Sequence, residues 1–302
     1  MIFITHEKSI GRSGHQFKDA VTPLIIAEIF GFDFVCNEYK SIEPFNLGEG
    51  RLTRNDLPQD IPVHIIEGPY WRGAPYEKLI SEFGNLSDQY HDREGCLVVL
   101  KNSFRVQLFQ AYTWYREGQL KDNVYERVVS TLRNNFRIRN PQQTVNGNDN
   151  KTTIAVHIRR GDVAEHKGRV PSSQHYAHSM EYYDEILQKL RSYLSERELD
   201  IHIYTEYKSA DDVVAYSKKT PDVVLHQGGK VEFADHFREM VYSDILVVSN
   251  SSMSQMAGYL SEGLKIFHPN DQYHSLPEEE FIPVNDLDKG RMSKFLAGRA
   301  GS

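Results

Sequence analysis

From residue 152 to residue 268, short β-branched apolar runs alternate with longer amphipathic ones, and this alternation restricts the fold more than any other feature of the chain. The spacing predicts strands at 152–158, 201–205, 222–225, 245–248 and 265–268, with helices at 180–195, 209–218, 233–242 and 252–261 between them. Short apolar runs bounded by turn residues fit strands buried on both faces. A helix between each pair supplies the crossover that parallel pairing needs. The second half is therefore expected to be an α/β unit with a doubly wound parallel sheet.

The first half predicts a related unit. Residues 2–5 read as a strand, Glu7 to Gln16 as a polar loop and Phe17 to Phe30 as an apolar helix. Pro23 either kinks that helix or restarts it with Thr22 as its cap. Gly31 ends it, and a second strand follows at 32–35, a short buried strand at 97–100 and a helix at 121–139. Residues 41–62, rich in Pro, Gly and Asp, read as a long loop. Asn140 to Asn150 is the most linker-like stretch, so the domains are expected at 1–140 and 141–302. A chain of 302 residues is long enough for two cores.

The strand at 152–158 ends in His157-Ile-Arg159-Arg160-Gly161-Asp162. Side chains alternate along a strand, so His157 and Arg159 point the same way, toward its carboxyl end, where open α/β sheets bind ligands. Two adjacent guanidiniums there suit a diphosphate, because Arg presents a planar fork to phosphate oxygens; otherwise they are solvated charges. A second buried strand runs into Ser249-Asn250-Ser251-Ser252 and then a helix, closed by Gly263 as its C-terminal cap. The start of that helix exposes N–H groups and its positive dipole end, an anion site unless the serines only cap it. Gly11, Gly14 and Gln16 in the first loop let backbone approach a ligand, or form a plain strand–helix turn.

Other chemistries find little support. The loop is neither a dinucleotide fingerprint nor a Walker loop, and there is no Gly-x-Ser-x-Gly elbow. The histidines at 166, 175 and 178 have no carboxylate or cysteine partner at a metal-ligand spacing. Asp286-Leu287-Asp288 is the one Asp-x-Asp and reads as a solvated turn, so no metal is expected. Tyr70-Trp71 and Tyr112-Thr-Trp114-Tyr115 either stack on sugars or pack a core. A net charge of −7 argues against nucleic acid and anionic membranes, so any anion site is local. No apolar run approaches the ~18 residues that span a bilayer. The N-terminus is unlike a signal peptide, and the two cysteines, Cys36 and Cys96, fit a reducing cytoplasm. The sequon at Asn250 agrees, since a glycan there would occupy the expected ligand site.

Taken together, His157-Ile-Arg-Arg-Gly-Asp162, Tyr182-Tyr183 on the next helix and Asn250-Ser251-Ser252 after a buried strand resemble the GDP-fucose fucosyltransferases, in particular the α1,2-fucosyltransferases. Met240, ten residues before Asn250, falls where that family carries a Leu-Met helix, and Gly11 to Gln16 is similar to its Gly-x-Gly-Asn-Gln loop. The resemblance covers 152–270 and, more weakly, the first 17 residues. It implies a GT-B architecture: two Rossmann-like domains with parallel sheets facing a cleft, the second holding the nucleotide sugar and the first on the acceptor side. It also implies inverting, metal-independent transfer of L-fucose from GDP-β-L-fucose to a glycan hydroxyl, with no other cofactor. By the same resemblance Arg159 and His157 hold the β-phosphate, and Gly14, Gln16, Ser251 and Ser252 complete its cradle. Arg160, Asp162, Glu206 and Asn250 join the expected donor site. This sequence departs from the family at His15, where the loop has Asn, and at Met253-Ser-Gln-Met256, which lacks the family's aromatics. Transfer from another nucleotide sugar, or non-catalytic GDP or glycan binding on the same scaffold, are the alternatives.

An acceptor hydroxyl needs a base near the same strand end. The loop leaving that strand offers Asp162, Glu165 and His166. Asp162, nearest the arginines, is expected to pair with one of them; Glu165 is the expected base, with His166 the alternative, unless Glu165 is a solvated loop carboxylate.

Overall fold

The computed structural model describes residues 1–7, 13–37, 43–68, 75–90, 95–102, 106–142, 151–161, 178–229, 232–268, 277 and 279–299. The chain divides into two compact units, Met1–Pro141 and Gln142–Ser302.

The first unit contains β1 (Ile2–His6), α1 (Ser13–Phe30), β2 (Asp33–Cys36), β3 (Leu52–Thr53), β4 (Val63–Gly68), α2 (Tyr76–Phe83), α3 (Leu86–Gln89), β5 (Cys96–Asn102), α4 (Leu108–Arg116) and α5 (Val124–Arg139). Its strands lie in the order β3-β2-β1-β5-β4, and every pairing is parallel. Pro23 neither breaks nor restarts α1, which is one helix from Ser13 to Phe30. The Thr22 hydroxyl donates to the Lys18 carbonyl at 3.1 Å and to that of Val106 at 3.2 Å, so it ties the helix beside the proline rather than capping a new one. The segment expected as a long loop carries the edge strand β3, which pairs Val35 with Leu52 and Cys36 with Thr53. Strand β4 lies at the other edge and exposes Val63 and Ile65 on one face.

The second unit contains β6 (Lys151–His157), α6 (Met180–Tyr193), β7 (Glu198–Glu206), α7 (Asp211–Lys219), β8 (Val223–Gly228), α8 (Phe233–Tyr242), β9 (Ile245–Val247), α9 (Ser252–Leu260), β10 (Leu264–Phe267), β11 (Phe281–Pro283) and α10 (Lys289–Arg299). All six strands pair in parallel, in the order β11-β10-β9-β6-β7-β8. The alternation expected from the sequence is observed, with β11 and α10 added beyond it. Ile154, Val156, Ile203 and Ile245 are fully buried and form one cluster with Tyr183, Leu187 and Leu190 of α6, three residues on one helical stripe. Fully burying each such aliphatic side chain contributes about 1.5–3 kcal/mol. Two Rossmann-like parallel-sheet units in tandem are the composition of the GT-B class.

Gly263 is not the C-terminal cap of α9, since Ser261 occupies that position and its N–H donates to the Ala257 carbonyl. A Cβ at Gly263 would meet the carbonyl oxygens of Ser243 at 2.3 Å and Asp244 at 2.7 Å. The glycine is needed because backbone passes close to backbone there. Among the described residues no helix is long and apolar enough to cross a membrane.

Candidate functional site

Strand β6 is the pivot of its sheet. The chain runs from β6 outward to β7 and β8, crosses back to place β9 on the other side of β6, and continues outward to β10 and β11. Direction reverses between β6 and β9, which pair from Ile154↔Ile245 to Val156↔Val247. In such sheets the crevice outside the carboxyl ends of the two strands at the reversal is the ligand site.

Of the expected residues, His157 and Arg159 reach the loop that carries Asn250 and Ser251. His157 ends β6, is buried, and places Nδ1 2.7 Å from the hydroxyl of the buried Ser249, which follows β9. The Arg159 guanidinium donates from Nη1 to the Asn250 carbonyl at 3.2 Å. Two side chains leaving one strand therefore reach one loop, as their shared parity requires. That loop turns directly into α9. The Ser251 N–H donates to the Ser249 carbonyl at 2.7 Å, and the Ser254 hydroxyl donates to the same oxygen at 3.1 Å. The Ser251 hydroxyl accepts from the Met253 N–H at 3.3 Å, so Ser251 is the N-cap of α9 and Ser252 its first helical residue. The positive end of the α9 dipole thus stands beside Arg159, where an anion gains from both.

Arg160 does not present its fork to this crevice. Its side chain is buried, and Nε and Nη2 donate to the Asp212 carboxylate at 2.8–3.2 Å. Burial pushes the Asp212 carboxyl up, but the Arg160 hydrogen bonds and charge, with backbone N–H donors at the start of α7, outweigh it and hold it below the ordinary range. The expectation of two guanidiniums on one diphosphate is corrected accordingly: an opposite charge in reach of a buried Arg is the stronger claim on it. Glu206, expected to touch substrate, accepts from the Arg160 N–H through Oε2 at 2.8 Å. Gly161 then turns the chain with φ +63°, a conformation glycine adopts without steric cost.

In the first unit, Gly14 and Gln16 lie in the first turn of α1, not in a loop preceding it, and Gln16 is buried. Gly11, Asp162, Glu165 and His166 lie outside the described residues, as do Tyr70 and Trp71. Trp114 is buried, with its ring centroid 5.4 Å from that of Tyr76, and Tyr112 packs on Tyr125 at 5.2 Å, so these two rings of the second aromatic cluster pack internally, whereas Tyr115 is exposed. Asp286 and Asp288 are both exposed, and Asp288 also accepts from the Arg291 N–H at 2.9 Å in the first turn of α10. Among the described residues no group of three or more His, Cys, Asp or Glu side chains is disposed to hold a metal ion.

Ser249 reads as part of the Ser-Asn-Ser-Ser motif, but not as the partner of His157, which strand register between β6 and β9 would have found. Asp212 is not singled out in the sequence and has no local signal. It looks like an ordinary acid in a first helical turn, and its partner lies 52 residues away.

No family model matches the chain, and no curated protein matches it. Among solved structures, it is similar to POFUT1 in complex with GDP, at 13% identity over 88% of this chain and 98% of that one, with a TM-score of 0.45. It is also similar to the NodZ α-1,6-fucosyltransferase soaked with GDP-fucose, at 14% identity over 86% of this chain and 92% of that one, TM-score 0.42. A third is a mutant of Arabidopsis thaliana FUT1 in complex with GDP, at 10% identity over 92% of this chain and 73% of that one, TM-score 0.48.

Proposed function

We propose that the chain is a GT-B glycosyltransferase that moves L-fucose from GDP-β-L-fucose to a glycan hydroxyl, with inversion and without a divalent metal. The observation that carries this reading is the meeting of His157, Arg159 and the start of α9 at the strand reversal between β6 and β9. The motif resemblance supplies the donor. In the proposed reaction the acceptor oxygen bonds to the anomeric carbon as the bond from that carbon to the β-phosphate oxygen breaks. GDP leaves with the electron pair, and the acceptor proton passes to Glu165. Arg159 and the α9 N–H groups stabilise the charge that grows on the departing phosphate, the part a metal plays elsewhere. His157, whose Nδ1 lies 2.7 Å from the Ser249 hydroxyl, helps hold the β-phosphate, and residues 1–140 supply the acceptor side. A cytoplasmic setting fits the two cysteines, which are buried thiols.

Calorimetry with nucleoside diphosphates tests the donor. GDP is expected to bind more tightly than UDP or ADP, and the reverse order would overturn the assignment in favour of another nucleotide sugar. Turnover of GDP-fucose in excess EDTA tests the charge argument. Activity is expected to persist, because a guanidinium and helix N–H groups are permanent donors; loss restored by magnesium or manganese would defeat it.

A further inference from the structure

We infer that Asp212 is a positioning residue for the anion-binding turn, acting through Arg160. This rests on the reading that the crevice at the β6 end holds a nucleoside diphosphate. Arg160 is 4% exposed, and its Nε and Nη2 grip both oxygens of Asp212. Its Nη1 folds back onto the Arg159 carbonyl at 2.9 Å, so the same side chain holds the backbone from which Arg159 projects. The next links continue along the turn: the Arg160 N–H to Glu206 Oε2 at 2.8 Å and the Gly161 N–H to the Lys208 carbonyl at 3.1 Å. Asp212 itself is fixed at the start of α7, where its Oδ1 accepts from the Val213 N–H at 3.0 Å. A chain of hydrogen bonds thus runs from α7 through Asp212 and Arg160 to the carbonyl of Arg159, and from the Arg159 fork to the loop before α9.

The sign of the effect distinguishes positioning from charge. Asp212 and Glu206 are two carboxylates beside a site for an anion. By Coulomb's law alone, removing either raises the local positive potential and tightens anion binding. If Asp212 acts by geometry, its removal frees the Arg160 fork and lets the Arg159 backbone shift, and binding weakens despite the more favourable charge. Misplacement by about 1 Å costs on the order of a hundredfold in rate.

The experiment compares the full-length wild type with Asp212→Ala and Asp212→Asn, by GDP calorimetry, by steady-state kinetics with GDP-fucose and by thermal melting. Asp212→Ala is expected to weaken GDP about ten- to a hundredfold and to lower kcat as well as raise KM, since Arg159 acts on the leaving phosphate. Asp212→Asn is expected to recover part of the loss, because its carbonyl oxygen still accepts from the fork while carrying no charge. Should the alanine variant fail to fold, the asparagine variant decides alone. Both variants binding GDP as tightly as wild type, or more tightly, would overturn the positioning role and leave the site reading intact. Wild type that binds no GDP would overturn the site reading, and the inference with it.

Discussion

Replacing Arg159 by alanine is expected to lower turnover about a hundred- to a thousandfold, the scale of losing one preorganised donor to developing charge, or roughly 2.7–4 kcal/mol. The guanidinium stands beside the start of α9 and ties to the Asn250 carbonyl. Its loss removes a full positive charge from the place where the leaving phosphate gathers negative charge. The sheet does not depend on it, because β6 and β9 pair through Ile154–Val156 regardless. The melting temperature should therefore move little while kcat falls. Arg159→Lys should rescue little, since an ammonium cannot both reach the carbonyl and offer a fork to phosphate. Steady-state turnover of GDP-fucose measures the effect, and a variant within a few-fold of wild type would make Arg159 a surface charge.

Glu165→Gln is expected to preserve GDP affinity while cutting transfer by about a hundred- to ten-thousandfold, the range for loss of a general base. Inversion by direct displacement requires the acceptor hydroxyl to shed its proton on the face opposite the diphosphate. The diphosphate is proposed to sit at Arg159, so the base belongs beyond it, among the residues that follow Gly161 in the sequence. The corresponding expectation that Asp162 pairs with an arginine has a competitor in the structure, since the Arg160 fork is already taken by Asp212. Glutamine keeps the size and polarity of the side chain and removes its basicity, so binding and chemistry separate cleanly in single-turnover kinetics. Unchanged transfer in this variant would move the role to His166 or to the departing phosphate.

How much of this was legible in the sequence depended on whether the signal was local. In the second unit β9 and β10 are buried throughout and β6 along most of its length, helices separate β6 through β10, and these strands fall close to the expected limits. The first unit was less readable. Strand β3 has two residues, and β4 is an edge strand whose Val63 and Ile65 face outward, so neither shows the pattern of a buried strand. Pro23 suggested a break that the Thr22 hydrogen bonds and surrounding burial override. The site divides in the same way. His157, Arg159 and Ser251 announce themselves because strand end, charge and helix start are contiguous in sequence. Arg160 looked identical to Arg159, and what separates them is Asp212, supplied by a distant helix start.

The strand order also sets when this site can come into being. Strand β6 leaves synthesis well before its partner β9, which begins at Ile245, after two intervening strands have been laid down on the far side. Until then one edge of a strand with the apolar run Ile154–Val156 stands open, the kind of edge that templates aggregation. Closing it means joining segments as far apart as Thr153 and Asp244, whose side-chain-to-backbone bond spans 91 residues. Such a non-local contact carries a large chain-entropy cost and slows folding. The crevice is accordingly a late product of folding, and a nascent chain halted before residue 245 has the His157 and Arg159 half of the site with nothing opposite it.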